Sequence, residues 1–479
     1  MYCSLKAVTA LTFALIFLFS FPGVFAQSTG TVNVYLPGSQ SPFQGSEPET
    51  KATPEVLQID FREAIERGLR QNLGLLLAGD QVQAARGERW RELSELLPNL
   101  AIRGQEAVQT ESLTAFGFNG EVLHAPFIPR VIGPFNYLDL RANLSQSIFN
   151  YKSFESERAA NQQLKAARLN FKDAREVVVL AVGNSYLQAI AAAARVETAE
   201  AQVKSAQALY DKASDQFKAG LSPAIDALRS QVELQSRQQQ LIVARNQLAK
   251  SNLSLARIIG LATGQAFVLT EKAPFQALTP QPLETYLQRA YTERADYQAA
   301  AAQVLAAELN RSAAQAGRYP SLDLTANFGD IGVNPGNSNG TWQVIGGINI
   351  PVFTGNRVHG DILRADAQLK QARSQLGDLR GQIDYQVRTA LLDLNAAAEQ
   401  VEVARSSVDL ADQTLTQARD RFTAGVTDNL EVVQAQEALA DAHETYIEGL
   451  YAHNLAKVEL AYAIGDAEQG VGRYLKGNQ

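Results

Sequence analysis

One heptad ladder is written twice in this chain, 205 residues apart. Val182, Ala189, Val196, Val203, Tyr210 and Phe217 recur every seven residues, and Ala192, Ala199, Ala206 and Ala213 follow four of them by three. The second ladder is Val387, Leu394, Val401, Val408, Leu415 and Phe422, with Ala397, Ala404, Ala411 and Ala418 in the same relation. Both break at the same punctuation, Asp215-Gln-Phe-Lys-Ala-Gly220 and Asp420-Arg-Phe-Thr-Ala-Gly425. A large residue at one seam position and Ala at the other specifies a long, closely packed antiparallel coiled coil. Two copies specify a duplicated architecture.

The rest of each copy reads by its period. A helical pattern starts at Asp60 with Phe61, Ile65, Leu69 and Leu73, and ends at Pro98. Its counterpart, Leu283, Leu287, Tyr291 and Tyr297, leads to Tyr319-Pro320. After each proline the alternation becomes two. Leu138, Leu140, Ala142 and Leu144 alternate with Asp139, Arg141 and Asn143; Leu322, Leu324, Ala326 and Phe328 alternate with Asp323, Thr325 and Asn327. Trp342, Val344, Ile348, Ile350 and Val352 mark a further strand, and a weaker one follows Pro98. Loops are expected at about 112–134 and 330–340.

Long helices then run over roughly 151–218 and 356–424, each about 100 Å at about 1.5 Å per residue. At the first reversal Gly220 suits a left-handed position, Ser222 an N-cap and Pro223 the first helical residue. At the second, Gly425 precedes Thr427 or Asp428 as cap. Return helices end at Gly260 and Gly465. The expected organisation is a signal peptide over 1–26, a flexible linker over 27–56 and a first repeat over 57–280, with its hairpin at 98–149 and long helices at 151–260. A second repeat over 281–466 carries a hairpin at 320–353 and helices at 356–465, and a tail covers 467–479.

Residues 1–26 carry one charge, Lys6, an apolar stretch from Ala7 to Phe21 and a small-residue cleavage site at Val24-Phe25-Ala26. Removal of Lys6 takes the net charge from -7 to -8, which argues against a nucleic-acid partner. Cys3, inside the signal, is the only cysteine, so the mature chain is expected to lack disulfides and thiol nucleophiles. His124, His359, His443 and His453 are scattered, and no nucleophile elbow, phosphate loop or zincin motif is present. The expectation is a protein with no catalytic residues, no metal and no cofactor.

Four strands can neither close their edges nor bury both faces. Segments of about ten alternating residues fit tilted membrane strands, and several chains pooling them would close a barrel whose apolar face meets lipid. Three chains would supply twelve strands, although the residues alone do not fix three. The alternative is a soluble periplasmic coiled-coil scaffold or adaptor-like protein.

From about Leu57 to Gly465 the chain resembles the TolC-like outer membrane efflux proteins. The likeness rests on the segment from Asp420 through Gly425 to the Ala435-Gln436 pair, on Ile350-Pro-Val-Phe-Thr-Gly355 and on Arg318-Tyr-Pro-Ser-Leu322. It implies a mixed α/β membrane protein, a homotrimer whose twelve-stranded β-barrel in the outer membrane continues as a twelve-helix α-barrel across the periplasm. It implies docking of a periplasmic adaptor and an inner-membrane pump at the tips, and passive conduction as the exit duct of efflux or type I secretion.

The resemblance carries over unevenly. Glu431 matches the first position of the acidic ring at the family's constricted aperture, while the next position is Gln434. Phe422 and Thr427 stand where some members carry an aromatic hydroxyl and a basic residue that latch the mouth. Glu431 also fits a capping box with Asp428. Gly220, Leu221, Ser222, Gly425, Val426 and Thr427 are the expected adaptor-contact tips, with Phe217 and Phe422 packing behind them.

Overall fold

The computed structural model describes residues 41–48, 51–116, 129–271, 275–278 and 281–476. The expected signal, 1–26, lies outside them. In chain order the elements are β1 (Leu57–Ile59), α1 (Phe61–Gln71), α2 (Leu73–Ser94), β2 (Asn99–Ser112), β3 (Val131–Phe149), α3 (Tyr151–Lys218), α4 (Ala224–Ile258) and β4 (Phe267–Leu269). There follow α5 (Leu283–Glu293), α6 (Ala295–Ala316), β5 (Ser321–Asn334), β6 (Asn337–Asn349), α7 (Arg357–Thr423), α8 (Asn429–Ala463) and α9 (Ala467–Lys476). Two helices, two strands, a long helix and a return helix thus occur twice.

The helix read as continuous from Asp60 is two helices, because Asn72 has extended backbone (φ -65, ψ 128) and its side chain caps α2 by accepting from the Gly74 amide at 3.0 Å. Arg294 makes the same break between α5 and α6. The expectation of a flexible linker fails over 41–48, which form a strap. The Asn72 side chain donates to the Phe43 carbonyl, the Leu73 amide to the Gly45 carbonyl, and the Phe43 ring lies where a Cβ on Gly74 would be. The segment after 466, read as a tail, begins as helix α9, because Ala467, Val471 and Leu475 at i, i+4 and i+8 bury one face. Leu57–Ile59 and Phe267–Leu269 add an unforeseen two-stranded parallel sheet.

The main sheet is antiparallel in the order β2-β3-β5-β6. The loop expected at 330–340 shrinks to Pro335-Gly336, because the ladder runs on to pair Asn334 with Asn337. Part of the 112–134 loop lies outside the described residues. Register places Ile102, Ala142, Phe328 and Trp342 in one row, beside Leu100, Leu144, Ala326 and Val344. One residue out of phase, on the opposite face, run Arg103, Arg141, Gly329 and Thr341, then Ala101, Asn143, Asn327 and Gln343. Ile102 and Trp342 are 76% and 75% exposed within the chain. On the polar face Arg141 donates to Asp139 and Asn327, and Asn327 donates to Gln343.

α3 packs against α2, α4, α6 and α8, and α7 against α6 and α8. The seam residues Val182, Ala189, Ala192, Ala199, Ala206 and Ala213 are buried, as are Val387, Leu394, Ala397, Val401, Ala404, Leu415 and Ala418. One stretch of α3 is apolar and long enough to cross a membrane by composition alone. Its Val178, Val179, Val182 and Tyr186 instead join Ile59, Phe61, Leu255, Ile259 and Val458 in the largest core. A second core gathers Ile383, Val387 and Leu394 with Tyr286, Leu460 and Ile464.

Candidate channel mouth

Both long helices end in the same device. The Gly220 amide donates to the Phe217 carbonyl (2.9 Å) and the Leu221 amide to the Gln216 carbonyl (2.8 Å). In the second copy the Gly425 amide reaches the Phe422 carbonyl (3.1 Å) and the Val426 amide the Arg421 carbonyl (3.0 Å). These are Schellman turns, and they need a left-handed residue, met here at φ 72 and φ 70. Among the described residues nothing lies within 4 Å of a Cβ at either glycine, so the turns present open surface there. Leu221 and Val426 stand 79% and 70% exposed beside them.

The caps differ. Asp428 accepts from the Leu430 amide at 3.1 Å and caps α8 as expected. Ser222 does not cap α4; Pro223 holds that position without a side-chain bond, because its fixed φ places it one residue ahead of the helix. The Ser222 hydroxyl has no partner among the described residues. Thr427 is half-buried in the turn between the two helices.

Phe422 is buried with Leu209, Leu415, Ala418, Val432 and Val433, and the Lys212 ammonium lies 5.8 Å from its ring centre. Phe217, expected to pack likewise, is 47% exposed and lies outside the cluster that buries Phe422. Glu431 is half-buried at the third position of α8, and Gln434 is exposed one turn on. The Glu431 carboxylate does not close the expected capping box; it lies 3.6 Å from the Arg421 guanidinium across the turn.

The sequence reading missed a polar knot behind the tips. Asn429, the first residue of α8 and fully buried, donates to the Asp226 carbonyl (2.6 Å) and the Ser230 hydroxyl (2.9 Å) of α4. Arg229 returns a bond to Asn429 Oδ1 at 2.8 Å and lies 3.6 Å from the Asp226 carboxylate and 3.9 Å from Asp428. The knot joins the two return helices of one chain. Only the polar residue at each helix start hinted at it; Arg229 and Ser230 look like any solvated helix positions.

Further along α8, His453 and Lys457 are fully buried. Among the described residues neither ring nitrogen of His453 has a partner, its ring stacks at a tilt on Phe275, and Lys457 donates to the Gln276 carbonyl. Burial, then the neighbouring Lys457 charge, pulls His453 down to about 4, and burial alone brings Lys457 to about 8.

An open sheet with one apolar and one polar face, prolonged by paired helices with open turns at their ends, is the design of a membrane duct with a periplasmic stem. The chain belongs to the outer membrane efflux protein family, whose model matches residues 65–261 and 286–466. Relatives include the outer membrane protein TolC of Vibrio cholerae, 23% identical over 69% of this chain and 77% of that protein. The alkaline protease secretion protein AprF of Pseudomonas aeruginosa is 23% identical over 67% of this chain and 68% of its own length. The crystal structure of the outer membrane protein VceC from Vibrio cholerae superposes with a TM-score of 0.71 at 21% identity, covering 85% of this chain and 96% of that one. The chain is accordingly an outer-membrane protein extending into the periplasm, an exit duct of the kind that works with an adaptor and an inner-membrane pump.

Proposed function

We propose that three copies of this chain close their sheets into one twelve-stranded barrel and their long helices into one twelve-helix tunnel, through which substrates leave passively. The observation that carries this reading is the sheet: four strands with both outer edges, β2 and β6, unpaired among the described residues, and an exposed apolar face backed by a polar one. Unpaired backbone groups are not tolerated in lipid, and closure with further copies satisfies them. The apolar rows then meet lipid and Arg141, Asn143, Asn327 and Gln343 line the lumen. Ile225, Leu228 and Val232 on α4 and Leu392, Val403 and Leu410 on α7, exposed in one chain, supply apolar contact for neighbouring copies.

In this arrangement the turns at Gly220-Leu221-Ser222 and Gly425-Val426-Thr427 receive the adaptor, Phe422 packs behind the second turn, and Glu431 with Gln434 lines the aperture. Substrate choice rests with the pump. The test is single-channel conductance of the detergent-purified mature protein in a planar bilayer, with Glu431→Gln beside it. Discrete steps are expected, with reduced cation preference in the variant. A protein that stays soluble without detergent and never inserts would overturn the duct in favour of a periplasmic scaffold.

A further inference from the structure

The two tips carry their acids differently. Asp226 in the first copy is buried and bound within the α4–α8 knot beside Arg229. Its counterpart 205 positions later, Glu431, is held by nothing on its own helix and faces Arg421 at 3.6 Å. At the position equivalent to Arg421 the first copy has Gln216, so only in the second copy does the end of the long helix place a cation against the acid beyond the turn; the cation beside Asp226 is Arg229, on the same helix as that acid.

We infer that Arg421 is the counter-charge of Glu431 and sets the ion preference of the mouth; the inference rests on the reading that Glu431 lines the aperture. The backbone of Arg421 supplies the carbonyl that closes the Schellman turn, and Glu431 sits in the first turn of α8, capped by Asp428. Both side chains therefore start from backbone that one hydrogen-bonded turn holds together. The other cations nearby are engaged elsewhere: Lys212 on the Thr423 hydroxyl, Arg419 on Ser205 and Arg229 on Asn429. With Arg421 57% and Glu431 39% exposed on their side chains, the pair is worth little as a stabilising contact. Its consequence is electrostatic. A ring of three carboxylates alone attracts cations, whereas the same ring with a guanidinium beside each carboxylate presents little net field to a permeating ion. The separation is well inside the screening length of about 8 Å at physiological ionic strength, so salt leaves this local cancellation in place.

The experiment is reversal potential across planar bilayers under a salt gradient, using the intact trimeric channel as wild type, Arg421→Gln, Glu431→Gln and the double variant. Each is checked first for trimers by size in detergent. The inference expects Arg421→Gln to raise the cation-over-anion permeability ratio several-fold, Glu431→Gln to lower it, and the double variant to behave as Glu431→Gln. A change in Glu431→Gln with none in Arg421→Gln overturns the counter-charge and leaves the acidic aperture standing. An Arg421→Gln effect that persists in the double variant overturns the pairing, because the arginine would then act independently of Glu431. No change in any variant removes the aperture reading and the inference with it.

Discussion

The guanidinium of Arg229 on α4 donates a 2.8 Å hydrogen bond to the side-chain oxygen of Asn429 on α8, tying the two return helices of one chain together just behind their turns. Asn429 is fully buried and also reaches the Asp226 carbonyl and the Ser230 hydroxyl. Removing one partner of such a buried set costs about 1–3 kcal/mol. Asn429→Ala should therefore speed amide hydrogen exchange in both turns, around 216–228 and 421–433, while exchange in the largest core stays unchanged. Equal protection in variant and wild type would show that the knot does not hold the tips.

Gly425 separates backbone strain from bulk. Its φ of 70 costs an L-residue about 1–2 kcal/mol, yet the space ahead of it is empty. Gly425→Ala and Gly425→Trp should thus lower the thermal midpoint by similar amounts and both form trimers. Only the Trp variant should fail to restore export in a host lacking the chromosomal copy. Loss of trimers in either would assign the glycine a structural role alone.

The sheet predicts opposite outcomes for neighbouring substitutions. Trp342 belongs to the apolar row and Gln343, the next residue, to the polar one. Trp342→Arg should reduce the yield of folded protein in the outer membrane, with a cost of up to about 2–4 kcal/mol if it sits near mid-bilayer. Gln343→Arg should assemble normally and shift ion preference toward anions. Equal tolerance of both would dismiss the assignment of faces.

His453 gives a pH dependence with a definite sign. Its folded value, about 4, lies below the ordinary histidine range, so between that value and about 6.5 the unfolded chain binds more protons. Stability should rise with pH through this window and be lowest below it. The groups acting on the ring are the buried Lys457, whose charge opposes protonation, and the uncharged Phe275. His453→Leu should flatten the thermal midpoint between pH 4 and 6.5, read by circular dichroism in detergent; an unchanged slope would place the titration elsewhere.

What the residues disclosed in advance was whatever repeats. Seven-residue spacing gave the long helices, and the two-residue alternation after Pro98 and Pro320 gave the strands, to within a few residues of Tyr151–Lys218, Arg357–Thr423 and the sheet. Left-handed glycines at the turns were legible because few other residues adopt that conformation. The breaks at Asn72 and Arg294 were not, since a single extended residue inside a helical pattern leaves the period nearly intact. The strap at 41–48 was hidden for another reason: backbone carbonyls and one aromatic ring hold it, and a Ser-, Pro- and Gly-rich stretch advertises neither. At the mouth, Glu431 drew notice by its place after the turn, but its partner Arg421 and the knot around Asn429 depend on side chains meeting across separate helices.

The central seam of the sheet has a consequence for biogenesis. β3 pairs with β5, so that Arg141 reaches Asn327 although 186 residues separate them. A chain threaded N-terminus first delivers β2 and β3 long before β5 exists. During that interval β3 offers a bare, aromatic-flanked edge to water, and contacts of such high sequence separation form slowly. Closing the sheet is therefore a late event, because residues 321–334 must be present before β3 gains its β5 partner.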